Sequence, residues 1–198
     1  MAGRVALGFR VHLGWAAGVA VAGGRAKVAL LWREKLVLTD PTVRASHEPY
    51  HKAAELLPDF EAARGLVHEG TKAVRAATRK SVRAWLRELR AQGFEPTKAI
   101  VLLSSGRDFP LESVLRSHAM IHSAEGALCR DALQRACHGA KIAVAGVRER
   151  DLWGEASRRL KIPEAACKKR VDDLGAGEGP PWRQDQKLAA AAAWLSLS

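Results

Sequence analysis

The chain has 198 residues, 47% of them hydrophobic, enough for one well-buried core, and a single domain over 1–198 is expected. Lysine and arginine number 32 against 21 acids, a formal charge of +11 that favours a polyanionic partner such as nucleic acid, although it serves solubility equally well. The three cysteines, Cys129, Cys137 and Cys167, have no CxxC spacing, which argues against a disulfide framework or a zinc knuckle and for a reducing, cytoplasmic setting. No apolar run reaches the ~18 residues of a membrane-spanning helix, and no membrane partner is expected.

The first segment, 1–40, reads as an antiparallel meander. From Val5 to Leu13 the odd positions are Val, Leu, Phe, Val and Leu, while the even ones are Ala, Gly, Arg and His. This period of two marks a strand with one buried face. Trp15 to Val21 resumes the alternation, Gly23-Gly24 signals a hairpin, and Lys27 to Trp32 and Lys35 to Leu38 supply two further short strands.

Residues 41–97 hold a polar connector and a basic helix. The connector contains His47, Glu48, Pro49, Tyr50 and His51, and a helical pattern then runs from about Pro58 to Gln92, with Gly93 as C-cap and Gly65 and Gly70 as candidate breaks. Between 71 and 90 it carries Lys72, Arg75, Arg79, Lys80, Arg83, Arg87 and Arg90 against the single acid Glu88. Val67, Val74, Ala77, Trp85 and Leu89 take the opposite side, so the helix packs on a core and presents a basic outer ridge. Solvated faces are usually mixed in sign, and an unbalanced ridge is suited to tracking phosphates.

The segment 98–198 alternates strands and helices. Lys98 to Leu103 is apolar enough for burial on both faces and is followed by Ser104-Ser105-Gly106-Arg107. Loops at that end of a parallel strand bind ligands in open α/β sheets, which makes Ser105 and Arg107 candidate anion-binding residues. A helix from about Leu111 to Cys137, a strand from Lys141 to Ala145 and a helix from Arg148 to Leu160 follow as a parallel crossover series. The loop GAGEGPP, 175–181, leads to an alanine-rich terminal helix with Asp185 in its first turn.

The helix after Leu111 carries His118, His122 and Glu125 within an arc of roughly 60°, set into the apolar stripe of Leu111, Leu115 and Ile121. Such polar groups in an apolar stripe need partners, because burial without them costs several kcal/mol. Histidines at i and i+4 with a carboxylate three further on suit a divalent metal or an acid–base relay, and equally a structural network of neutral rings.

Leu7-Gly8-Phe9-Arg10 running to Gly14-Trp15-Ala16, together with Asp185 to Trp194, resembles the ribonuclease H-like superfamily, and within it the RuvC-type Holliday-junction resolvases. The resemblance implies a mixed sheet, three antiparallel strands followed by parallel ones, with flanking helices. It also implies acids from the first strand, a later element and the last helix that hold magnesium or manganese for phosphodiester hydrolysis. Glu125 and Asp185 are the second and third acids on that analogy. The sequence departs from it at the first strand: no Asp or Glu precedes Glu34, and Arg10 and His12 occupy the polar face. Three functions therefore stand side by side. The first is a nucleic-acid-binding protein, with any nuclease centre a non-standard one built from His12, His118, His122, Glu125 and Asp185. The others are an enzyme on a small anion and a non-catalytic interaction module.

Overall fold

The structure is a computed structural model that describes residues 4–104 and 109–198. Ser105 and Arg107, the expected anion-binding pair, lie outside the described residues. Five strands form one sheet: β1 (Arg4–His12), β2 (Trp15–Gly23), β3 (Val28–Val37), β4 (Pro96–Leu103) and β5 (Ala143–Arg148), in the order β3-β2-β1-β4-β5. β1, β2 and β3 pair antiparallel, while β4 and β5 run parallel to β1. This is the expected mixed α/β sheet.

One detail of the meander differs from expectation. The two short strands expected between Lys27 and Leu38 are one strand, β3, with a register shift opposite Ala20 and Val21 that leaves Leu31 as an extra residue. Such a bulge breaks the period of two without ending the pairing.

The alternation of β1 assigns its side chains to two helical layers. Leu7 and Phe9 enter a core with Val74, Trp85, Leu86, Leu89, Leu128 and Leu133 from α2 (Phe60–Ala91) and α4 (His118–Gly139). Ala6 faces the opposite core, built by α5 (Leu152–Leu160), α6 (Glu164–Leu174) and α7 (Gln184–Ser196). At Gly8 a Cβ would collide with the backbone of Ala189 and Ala193, so the glycine lets α7 lie directly on β1. The buried run Ala189 to Ala193 gives the same close approach from the helix side.

α2 is continuous, about 48 Å long at 1.5 Å per residue. Gly65 and Gly70 do not interrupt it: Gly65 faces open space, and Gly70 lets the helix lie against the backbone of Ala45. Its first turn is capped by Asp59, whose carboxylate accepts the Ala62 N–H at 3.0 Å.

The single helix expected from Leu111 to Cys137 is divided. α3 (Leu111–Leu115) ends, Ser117 takes an extended conformation (φ −135°, ψ 111°), and α4 begins at His118. His118 and His122, in the first two turns of α4, are exposed, so of the three polar residues expected in the core only Glu125 is buried. The connector contains a short helix unanticipated from its polar sequence, α1 (Pro49–Ala54), begun by Pro49 in the first turn. α6 is a second addition, and the helix expected from Arg148 begins as a 3-10 turn over Glu149–Asp151 before α5. Among the described residues no helix is long and apolar enough to cross a membrane.

Candidate functional site

The parallel strands β1, β4 and β5 deliver their last residues to one end of the sheet, and the first turn of α7 arrives there because Gly8 seats the helix. Arg10 projects from the α7 side of β1. Its Nε and Nη2 donate to the two carboxylate oxygens of Glu149 at 3.0 and 2.9 Å, a bidentate pair, and its Nη1 donates to Oδ1 of Asp185. His12 Nε2 lies 2.7 Å from the same Asp185 oxygen. The His12 ring stacks on Trp15, with centroids 4.4 Å apart, and Lys35 lies over that indole.

These contacts set the charge states. Glu149, opposing the effect of partial burial, raises the pKa of the Arg10 guanidinium, and Asp185 adds to the rise. For Asp185 partial burial is the largest single influence and opposes ionisation. The hydrogen bonds and charges of His12 and Arg10 together outweigh it and hold the carboxyl below its ordinary range.

The two-metal arrangement implied by the family resemblance does not fit these residues. The first strand contributes a cation where a bridging carboxylate is needed, and the same guanidinium occupies both the strand-end acid and the last-helix acid. A divalent ion placed there would face Arg10 directly.

Next to this cluster a cleft of about 520 Å³ is lined by Val11, Ser104, Arg130, Arg148, Arg150 and Trp153, among others. Arg148 and Arg150 both approach Asp151, at 2.6 and 3.5 Å. Arg130 of α4 is half-buried, donates to Ser104 Oγ at 2.6 Å, and forms no ion pair among the described residues. Burial lowers the pKa of its guanidinium from the ordinary value. A desolvated guanidinium in an open cleft is complementary to an oxyanion.

The basic ridge of α2 is present as expected: Lys72, Arg75, Arg79, Lys80, Arg83, Arg87 and Arg90 lie along it, most of them exposed. Arg75 pairs with Asp131 of α4 at 2.9 Å and Arg90 with Glu95 at 2.7 Å. Arg79, Arg83 and Arg87 form no ion pair among the described residues. The outer helices α5 and α6 differ, since most of their charges pair within the helix, Arg158 and Arg159 with Glu155, Lys168 with Glu164 and Lys169 with Asp173. Arg75 and Arg130 line one further cavity, so the ridge runs up to the cleft.

Glu125 and Asp185 belong to separate constellations. Asp185 meets Arg10 and His12, whereas Glu125, 1% exposed, receives Nδ1 of His51 at 3.0 Å from both carboxylate oxygens and the His51 backbone N–H at 3.3 Å. The paired metal ligands expected from sequence are thus not a pair. α4 packs on one face of the sheet and α7 on the other, and of α4 it is Arg130, farther along the helix, that reaches the cleft beside α7. His12 meets Asp185, while His118 and His122 lie with His51 instead.

Two participants carry no motif that singles them out in the sequence, Glu149 and His51. Glu149 stands at the residue after β5, and the end of a parallel strand is the available signal. His51 lies in a connector whose helix the residue pattern does not disclose.

No family model matches the chain, and no curated protein matches it in sequence. Solved structures do resemble it. Thermus thermophilus RuvC in complex with Holliday junction substrate superposes with a TM-score of 0.55 at 14% identity, over 97% of this chain and 91% of that one. A second Thermus thermophilus RuvC structure gives a TM-score of 0.51, also at 14% identity, over 97% and 92% of the two chains. The fold is therefore ribonuclease H-like, a five-stranded mixed sheet between two helical layers, as in RuvC.

Proposed function

We propose that the chain binds nucleic acid through its phosphates, using the α2 ridge and the arginine-lined cleft, and does not hydrolyse it by the two-metal route. The observation that carries the binding is the basic ridge of α2 between 71 and 90, where Arg79, Arg83 and Arg87 have no carboxylate partner among the described residues, whereas α5 and α6, on the opposite side of the sheet, pair most of their charges within the helix. Unpaired cations along several turns release counterions from a polyanion on contact. Arg130 extends the path into the cleft.

Arg10 supports the non-hydrolytic half of the reading. Its guanidinium supplies from within the chain the positive charge that metal ions would otherwise bring to Glu149 and Asp185. The carboxylates are held and the scaffold keeps its shape without an ion. One of the similar structures is a RuvC bound to a Holliday junction, which makes branched DNA the natural ligand to compare with duplex.

Fluorescence anisotropy with labelled four-way junction and duplex DNA tests the reading, using the full chain and an Arg79→Gln/Arg83→Gln/Arg87→Gln variant. The wild type is expected to bind, the variant to bind at least ten-fold more weakly, and neither DNA to be cut on incubation with Mg²⁺ or Mn²⁺. Equal binding by the variant overturns the ridge assignment, and cleavage lost on Asp185→Asn overturns the non-hydrolytic one.

A further inference from the structure

We propose that His51, His118 and His122 form a binding site for one divalent transition ion, zinc by its chemistry, with Glu125 as the positioning residue behind His51. The site is independent of the phosphate-binding cleft. One ring nitrogen from each histidine lies within 4.8 Å of the other two. The rings meet edge to face, with centroids 5.2 Å apart for His51 and His118, 4.7 Å for His51 and His122 and 4.4 Å for His118 and His122.

The sequence builds this arrangement from two elements. His118 and His122 are one helical turn apart at the start of α4, and the i, i+4 spacing puts them on one face. His51 comes across from α1, the short helix that Pro49 begins. Neither His118 nor His122 makes a side-chain hydrogen bond to a described residue, so their nitrogens are available.

Glu125 makes the cluster more than a contact between rings. Its buried carboxylate lies 3.0 Å from Nδ1 of His51, the contact of an Nδ1–H tautomer whose Nε2 is the nitrogen free to ligate. A carboxylate behind a ligating imidazole is the usual device for orienting the ring and raising its basicity. It also supplies one negative charge beside a dication.

Tetrahedral ligation at 2.0–2.1 Å places nitrogens about 3.3 Å apart. The present separations are within 4.8 Å, and His118 and His122 are exposed, which leaves their rings room to close on an ion. Three neutral imidazoles favour zinc, cobalt or nickel over magnesium and calcium, which prefer oxygen. Three protein ligands leave a fourth position for water or an anion.

Isothermal titration of the full-length protein with ZnCl₂, and visible absorption on titration with Co²⁺, test the site. One equivalent is expected to bind, with the intense d–d absorption of four-coordinate cobalt. His118→Ala and His122→Ala should each abolish the stoichiometric site, and Glu125→Gln should weaken it about 10- to 100-fold while leaving one equivalent bound. Neither histidine belongs to the core, and unchanged circular dichroism will show that the variants fold. His47→Ala and His138→Ala serve as controls and should bind like wild type. No stoichiometric binding by wild type, or binding that survives both substitutions in α4, overturns the proposal. DNA binding with no metal uptake would sink this site alone, and metal uptake with no DNA binding would sink only the functional reading above.

Discussion

Arg10 of β1 donates to Asp185 of α7 while holding both oxygens of Glu149, so one guanidinium joins the first strand, the end of the last strand and the terminal helix. The three elements come from residues far apart in the chain. Their union depends on α7 lying flat on Gly8.

Replacing Arg10 leaves two neighbouring carboxylates without their shared cation. Arg10→Met should lower unfolding stability by about 2 kcal/mol, since partly buried charged pairs broken from one side leave the other side uncompensated. Denaturant titration measures the loss. In a double-mutant cycle with Asp185→Asn the two effects should be non-additive, and strict additivity would show that the pair does not couple.

The depressed pKa of Asp185 makes a statement about acid stability. Because the folded value lies below the unfolded value near 3.9, its contribution is full above the unfolded pKa and disappears as pH falls through the folded one. Asp185→Asn should therefore reduce stability at neutral pH and flatten the fall in melting temperature below about pH 4. A variant whose acid limb parallels that of wild type would contradict the assignment.

Two glycines give opposite expectations. Gly8→Ala places a methyl group in the backbone of α7 and should cost about 3 kcal/mol or prevent docking of the helix. Gly65→Ala lies in the interior of α2 facing open space and should stabilise by up to about 1 kcal/mol. Thermal melts of the two variants would move in opposite directions.

Much of the fold is legible in the sequence because its signals are local. The period of two in Val5–Leu13, the apolar β4 and the amphipathic pattern of α2 each name their own element, and the loop-to-helix order leaves few topologies. The site is legible in part. His12, Asp185 and the α2 arginines stand out by their polarity in apolar contexts, but the pairing of Glu125 with Asp185 that the sequence suggests is replaced by a pairing with His51. One extended residue, Ser117, divides the helix expected from Leu111 to Cys137, and no composition signal marks it. His51 and Glu149 act through partners 74 and 139 residues away in sequence, which periodicity does not carry.

The salt dependence of duplex DNA binding tests the central claim most directly. Log Kobs should fall linearly with log salt for wild type, and the Arg79→Gln/Arg83→Gln/Arg87→Gln variant should show a slope smaller by roughly 2 to 3, at about 0.9 for each phosphate that is no longer neutralised. An unchanged slope in the variant, or no salt dependence in wild type, would contradict phosphate binding by this ridge.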